Sequence, residues 1–390
     1  MSGLQHPQPV HHTQAPHVHR GITGRVRDVL EAADVRINGS RPWDMQIHHP
    51  RTLTRIALQR SIGLGESYMD GWWDCDALDE LFRRLLRHGA NRVSHAWFQS
   101  ALQWVGQCLF NRQSLSRARQ VALQHYDLGN DLFEVMLDPT MSYSCGYWRL
   151  ASNLTDAQTA KLDLICRKLE LQPGMTLLDI GCGWGGLLEH ACRHYGVSGV
   201  GVTLSKEQAA LARQRCAALK TDIRIQDYRE LDGQFDRVAS VGMFEHVGRK
   251  NYPVFMETCA RLLKPDGLML LHTIGNNLTS SHHDPWIDKY IFPNGELPSS
   301  AQISRAAEDW FVAEDMHNFG ADYARTLRAW DRNFVSGWPQ LAERYGERFY
   351  RMWRYYLNAC AGAFQARDIQ LWQWVFSHAG GREKVYTAPR

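Results

Sequence analysis

The sequence predicts an α/β protein, a doubly wound parallel sheet with a smaller helical domain ahead of it. Three observations carry this. Residues 176–273 alternate short apolar runs with amphipathic stretches, the pattern of repeated β-α-β units. The first run opens into Gly181-Cys182-Gly183-Trp184-Gly185-Gly186, a turn suited to close approach of a ligand. Residues 21–120 lack that alternation and place Leu78, Leu81, Phe82, Leu85 and Leu86 on one helical stripe.

Taken in order, residues 1–20 carry His6, His11, His12, His17 and His19 among Pro7, Pro9 and Pro16. Such a polar, proline-broken segment has no face to bury and reads as a disordered tail. The helical domain spans 21–110, a basic linker 111–124, and the α/β domain 125–390. Thr176–Ile180 is the first strand, followed by a helix that stops near Gly196. Val197–Leu204 is the second strand and Lys206–Leu219 the next helix. Asp222–Gln226 and Arg237–Val241 are strands, the latter after the turn Asp232-Gly233. Tyr252–Leu263 is helical and ends at Pro265-Asp266-Gly267, and Leu268–Thr273 is the fifth strand. In this architecture ligands sit at the carboxyl ends of the strands, near the switch in strand order.

Composition narrows the function classes. The chain has 390 residues, 44% hydrophobic and 22% charged, with a net charge of +3, so it is neither a polycation nor a disordered chain. Its nine cysteines are scattered, without a C-x-x-C pair, which disfavours zinc fingers and a disulfide framework and fits reduced thiols in a cytoplasmic protein. Fourteen tryptophans, with 14 Tyr and 14 Phe, suit an apolar ligand or a guarded reactive centre. From Arg83 to Gln124 there is no acidic residue, while Arg83, Arg84, Arg87, Arg92, Arg112, Arg117 and Arg119 are interleaved with aromatics. That combination suits an anionic membrane surface, or equally an inter-domain face with solvated arginines, with nucleic acid as a third option.

The glycine loop admits two cofactors. Gly181, Gly183 and Gly186 satisfy G-x-G-x-x-G, but the carboxylate that would hold a nicotinamide cofactor's ribose is absent, because the second strand ends in Thr203-Leu204-Ser205. Asp179 two residues before the first glycine instead resembles the first motif of S-adenosylmethionine-dependent methyltransferases. Asp227 and Tyr228, just past the third strand, suit an adenine, although Asp227 also reads as a turn cap. Further polar residues stand at strand ends or in apolar settings: Glu245-His246, His272 within Leu270-Leu271-His272-Thr273-Ile274, Tyr323, and Cys145 within Ser144-Cys145-Gly146-Tyr147-Trp148. Each alone reads equally as a packed or capping residue. His190 and His194 lack a carboxylate companion and read as helix surface, so no metal site is expected.

Together these stretches resemble the cyclopropane-fatty-acyl-phospholipid synthase family. The resemblance covers roughly residues 21–378, from Gly63-Leu64-Gly65-Glu66-Ser67-Tyr68-Met69-Asp70-Gly71 to Tyr355-Tyr356-Leu357-Asn358-Ala359-Cys360. It implies a Rossmann-like methyltransferase fold and addition of a methylene from S-adenosylmethionine across a cis double bond of an acyl chain in a membrane phospholipid. The implied course is methyl transfer, a carbocation, and deprotonation assisted by bicarbonate. The implied bicarbonate ligands are Cys145, Glu245, His272, Tyr323 and the backbone at Ile274. The implied cofactor contacts are Tyr143, Ser144, Asp179, Gly181, Gly183, Trp184, Gly185, Thr203, Gln208, Asp227 and Tyr228. It also implies a homodimer at the inner face of the cell membrane, with no nucleic-acid partner. An unprotonated Glu245 would repel bicarbonate, so it is expected to accept the ion's hydroxyl hydrogen.

Overall fold

The computed structural model describes residues 21–88, 129–279 and 284–390. The tail at 1–20, the proposed linker and the arginines at 92, 112, 117 and 119 lie outside them. Three helices open the described chain: α1 (Ile22–Ala32), α2 (Thr52–Met69) and α3 (Leu78–Arg87). A two-stranded antiparallel ribbon, Gln46–Ile47 with Trp73–Asp74, closes around α2. The expected stripe on α3 is the buried one: Leu78, Leu81, Phe82 and Leu85 are inside, with Leu86 at the edge. Each contributes roughly 1.5–3 kcal/mol by leaving water. Together they outweigh the surface ion pairs on the same helix.

Two of the arginines expected to form a membrane-facing patch are engaged within the fold. Arg83 pairs with Glu80, and Arg84 pairs with Glu80 and Asp34. Absence of acid after residue 83 did not leave them unpaired, because acidic partners precede them on the same helix and on the loop after α1.

The α/β part begins with α4 (Asn130–Met136) and α5 (Leu154–Lys168). Then come β1 (Thr176–Ile180), α6 (Gly186–Tyr195), β2 (Ser198–Thr203), α7 (Lys206–Arg215), β3 (Thr221–Ile225), β4 (Phe235–Val241), α8 (Tyr252–Leu262) and β5 (Leu263–Asn276). The chain continues through α9 (Pro285–Tyr290), α10 (Ser300–Ala307), β6 (Phe311–Asn318), α11 (Gly320–Gly337), α12 (Ala342–Ala366) and β7 (Ile369–His378). The seven-stranded sheet runs β3-β2-β1-β4-β5-β7-β6. Its order reverses between β1 and β4, which opens a crevice at their carboxyl ends.

The five expected strands are present and parallel. The sheet as a whole is mixed, because β7 lies antiparallel to β5 and β6 antiparallel to β7. The expected break at Pro265-Asp266-Gly267 falls inside β5. There the register against β4 jumps from Phe235↔Leu263 to Arg237↔Leu268, so the turn is absorbed as an irregularity in one strand. The helix expected to reach Leu219 stops at Arg215 and gives way to a turn closed by Leu219 N–H on Cys216 O.

Helix α12 joins the helical part to the sheet. It packs on α2, α3 and α11. The approach of α3 is close enough to require glycine: a Cβ on Gly362 would stand 2.5 Å from Phe82 Cβ. Among the described residues no helix is long and apolar enough to cross a membrane.

Candidate functional site

The glycine loop leaves β1 with Gly181, Gly183 and Gly185 all at positive φ, a conformation that side-chain-bearing residues rarely adopt. The space above Gly183 is open, since an added Cβ would meet nothing within 4 Å. Gly185 caps α6, whose first N–H groups are oriented as helix termini are. Trp184 turns inward: its ring lies 4.9 Å from that of Phe133, and Nε1 donates to Asn130 Oδ1 at 3.1 Å.

At the next strand end, Thr203 Oγ1 donates to Gln208 Oε1 at 2.9 Å, and Ser205 caps α7 by accepting from Gln208 N–H. Both expected residues there are buried and held in one small network. Asp227 follows β3. It accepts from the backbone and guanidinium of Arg229, with 2.7 Å between Asp227 Oδ2 and the arginine. The turn-cap role is therefore present. Tyr228 stands beside it against Phe255 at 5.4 Å. Asp179 is buried within β1, behind the loop; burial pushes its carboxyl up to about 7, opposed by the charge of Lys161.

Segment 138–146 covers the loop from the other side. A Cβ on Gly186 would stand 2.4 Å from Thr140 O, so loop and segment touch. Asp138 fixes the segment's first turn by accepting from Thr140 N–H, the Thr140 hydroxyl and Ser142 N–H. Gln158 on α5 donates to Ser144 O at 2.8 Å, and Lys161 Nζ donates to Ser144 Oγ at 3.1 Å. Tyr143 meets Tyr356 hydroxyl to hydroxyl at 2.8 Å. Cys145 is fully buried, its thiol pushed well up by burial and therefore neutral, and it donates to Gly146 O.

Two buried groups near the carboxyl end of β4, one in the turn that follows it and one opposite its last residue inside β5, are left half satisfied. Glu245, in the short helical turn Phe244–His246, accepts from Ile274 N–H through Oε1 at 2.7 Å. Its Oε2 is buried without a partner among the described residues. Burial pushes the carboxyl up to about 7, against the pull of the Ile274 N–H. His272, on β5, is wholly buried and held well below its ordinary pKa by desolvation, so its ring is neutral. Gln373 Nε2 lies 3.2 Å from His272 Nδ1, across the strand pair at the directly opposed position of β7. With Gln373 donating there, Nε2 carries the ring hydrogen, and Nε2 too has no partner among the described residues. Tyr323, on α11, is buried, stacks on Phe364 at 4.6 Å, and lies within electrostatic reach of Cys145, Tyr143 and Glu245.

The tertiary fold thus brings segment 143–145, Glu245 and Tyr323 from separate elements toward the strand β5 that carries His272 and Ile274, with the glycine loop alongside. Sequence reasoning missed Gln158, Lys161 and Gln373. A signal was available for each. Gln373 interrupts the apolar run Leu371-Trp372-Gln373-Trp374-Val375, and Gln158 and Lys161 occupy buried positions among Ala157, Leu162 and Ile165 on α5.

The sequence matches the mycolic acid cyclopropane synthetase family over residues 113–374. It is 56% identical over 350 residues to the cyclopropane-fatty-acyl-phospholipid synthase of Escherichia coli (strain K12), covering 90% of this chain and 92% of that protein. It is 35% identical over 365 residues to the tuberculostearic acid methyltransferase UfaA1 of Mycobacterium tuberculosis (strain ATCC 25618 / H37Rv), covering 86% and 83%. Among solved structures, mycolic acid cyclopropane synthase CmaA1 complexed with SAH and CTAB superposes with a TM-score of 0.63 at 35% identity, over 67% of this chain and 98% of that one.

Proposed function

As the chain belongs to the cyclopropane-fatty-acyl-phospholipid synthase family of S-adenosylmethionine-dependent methyltransferases, we propose that it adds a methylene across the cis double bond of unsaturated acyl chains in membrane phospholipids. The observation that carries the reading of the site is the pair of buried atoms Glu245 Oε2 and His272 Nε2, unpartnered among the described residues, beside the carboxyl end of β4. Buried polar atoms are ordinarily satisfied, so these two favour a small hydrogen-bonding ligand such as bicarbonate. When bound, S-adenosylmethionine supplies the methyl group and bicarbonate supplies the base.

The chain's own residues do the rest. The Nε2–H of His272 and the hydroxyl of Tyr323 donate to the anion, and the neutral thiol of Cys145 adds no opposing charge. The backbone at Ile274, expected to meet the anion directly, instead gives its N–H to Glu245 Oε1, so it acts through Glu245 by fixing one carboxyl oxygen. Glu245 takes the hydroxyl hydrogen of bicarbonate, which orients the ion and strengthens it as a base. Tyr143, Ser144, Asp179, Thr203, Gln208, Asp227, Tyr228 and the loop Gly181–Gly185, Trp184 included, hold the cofactor.

An alkene is a weak nucleophile, so alignment supplies much of the acceleration. Positive charge on the acyl chain must be kept from water. Aromatic faces stabilise such charge, and Tyr323, Trp330, Tyr356 and Phe364 form one buried cluster with Cys145, with Tyr143 partly buried against it. Acting as a homodimer at the inner membrane face remains part of this proposal.

The test is lipid mass spectrometry with proton NMR, after incubating the protein with S-adenosylmethionine and liposomes of a cis-monounsaturated phospholipid. Gain of one CH₂ with loss of alkene protons and new high-field ring protons is the expected result. The same gain with a surviving alkene, or a saturated methyl branch, would instead assign a methylating activity, a reading favoured by the likeness to UfaA1.

A further inference from the structure

A lysine ammonium seldom lies inside a protein unless something there needs its charge. Lys161 is 2% exposed. Burial pushes its pKa down to about 8, so it remains largely protonated near neutrality. Among the described residues its hydrogen bond goes to Ser144 Oγ, at 3.1 Å. The charges of Asp138 and Asp179 act on it, yet neither makes an ion pair with it among the described residues. Asp138 is committed to Thr140 and Ser142, and Asp179 is itself pushed up to about 7. The ammonium is therefore short of a full anionic partner.

Its one contact has a direction. An ammonium has donors only, so Ser144 Oγ accepts from Lys161 and its own hydrogen must be given elsewhere. Ser144 stands at the crevice: a Cβ on Gly242, just past β4, would lie 3.7 Å from Ser144 Cβ. One helical turn before Lys161, Gln158 holds the carbonyls of Ser142 and Ser144. Residues at i and i+3 share a helix face, so the same face of α5 fixes the backbone and charges the hydroxyl of one segment.

We propose that Lys161 is a cofactor-positioning residue, whose ammonium, acting through the Ser144 hydroxyl, holds the carboxylate at the amino-acid end of S-adenosylmethionine. This rests on the reading that Ser144 meets the cofactor. A carboxylate is the one group on that molecule that both accepts from a hydroxyl and answers a positive charge. The adenine and ribose offer neutral acceptors, and the amine is a competing cation.

The experiment is calorimetric binding of two ligands to the full chain: S-adenosylhomocysteine, and its decarboxylated analogue, which keeps adenosine, sulfur and amine. Lys161→Met is expected to weaken S-adenosylhomocysteine at least tenfold and the analogue less than threefold. Lys161→Gln, which keeps a donor and a polar head, is expected to show the same selectivity at smaller size and serves if the methionine variant does not fold. Equal weakening of both ligands would reduce Lys161 to a clamp on the segment and overturn the proposal. Ser144→Ala separates the two layers. A selective loss with Ser144→Ala but not with either lysine variant overturns the proposal alone. No selective loss with Ser144→Ala overturns the underlying reading of the serine as well.

Discussion

Two carboxylates, one partly buried and one buried, sit in opposite electrostatic worlds. Glu66, at the seam between the helical part and the sheet, is fully subscribed. Lys289 Nζ and the Tyr290 hydroxyl donate to Oε1 at 2.7 and 2.8 Å, and Arg55 donates to Oε2 at 2.7 Å. Burial pushes its pKa up, yet these three partners together hold it at about 2. Nearby, Asp70 takes Arg55 and Arg348, so the seam is a closed network. Glu245 accepts from the Ile274 N–H through one oxygen, its second oxygen has no partner among the described residues, and it stands at about 7. The contrast separates a polar group that holds a fold together from one whose incomplete bonding underlies the ligand role proposed above.

The sharpest way to break this comparison is Glu245→Gln. An amide cannot take the bicarbonate hydrogen as a carboxylate does, so cyclopropane formation is expected to fall at least about a hundredfold, while S-adenosylhomocysteine binding changes little. Retention of full activity would remove Glu245 from the chemistry. The same variant tests the physical cause. The folded-state pKa is raised above the ordinary 4.5, so the folded protein binds that proton more tightly than the unfolded chain. Ionising the group therefore costs stability as pH rises from 4.5 through about 7. Glu245→Gln should match the parent near pH 4.5 and be more stable at about pH 8, by on the order of 3 kcal/mol in denaturant unfolding. A stability difference independent of pH would contradict the raised pKa.

Glu66→Gln should do the reverse. Its charge-assisted partners lose strength, for about 1–2 kcal/mol of stability at neutral pH. The parent's advantage should be present above pH 4.5 and vanish as pH falls through about 2. Turnover per folded molecule should be nearly unchanged, which lipid assays corrected for the folded fraction would check.

The smallest expected effect is at Gln373. Gln373→Leu frees the His272 tautomer and should lower turnover roughly tenfold. Gln373→Glu should be worse, because a carboxylate accepts from Nδ1–H and leaves Nε2 without its hydrogen. The ¹⁵N shifts of His272 report the tautomer directly. An unchanged tautomer in both variants would show that Gln373 does not set it.

Much of this was legible in the residues. Five parallel strands follow from apolar runs broken by Gly and Asp-Gly, since burial on both faces leaves a continuous apolar stretch. The glycine loop follows from the positive φ its turn demands. Strands β6 and β7 were not read. Phe311–Asn318 carries Glu314, Asp315 and His317, polar residues that an edge strand tolerates and that hide it from apolar periodicity. Cys145, Glu245, His272 and Tyr323 could be nominated by the company they keep in sequence. Their states of satisfaction could not.

The sequence alone determined the local terms: where strands begin, which turns need glycine, which helix face is apolar, and which family the motifs resemble. Tertiary structure decided the pairings between distant residues. It set Gln373 opposite His272, Lys161 beneath Ser144 and Ile274 N–H against Glu245. It also brought Asp34, on the loop after α1, to Arg84. Hydrogen bonding and desolvation depend on which atoms end up within about 3 Å of each other. For residues a hundred positions apart, no local pattern encodes that distance.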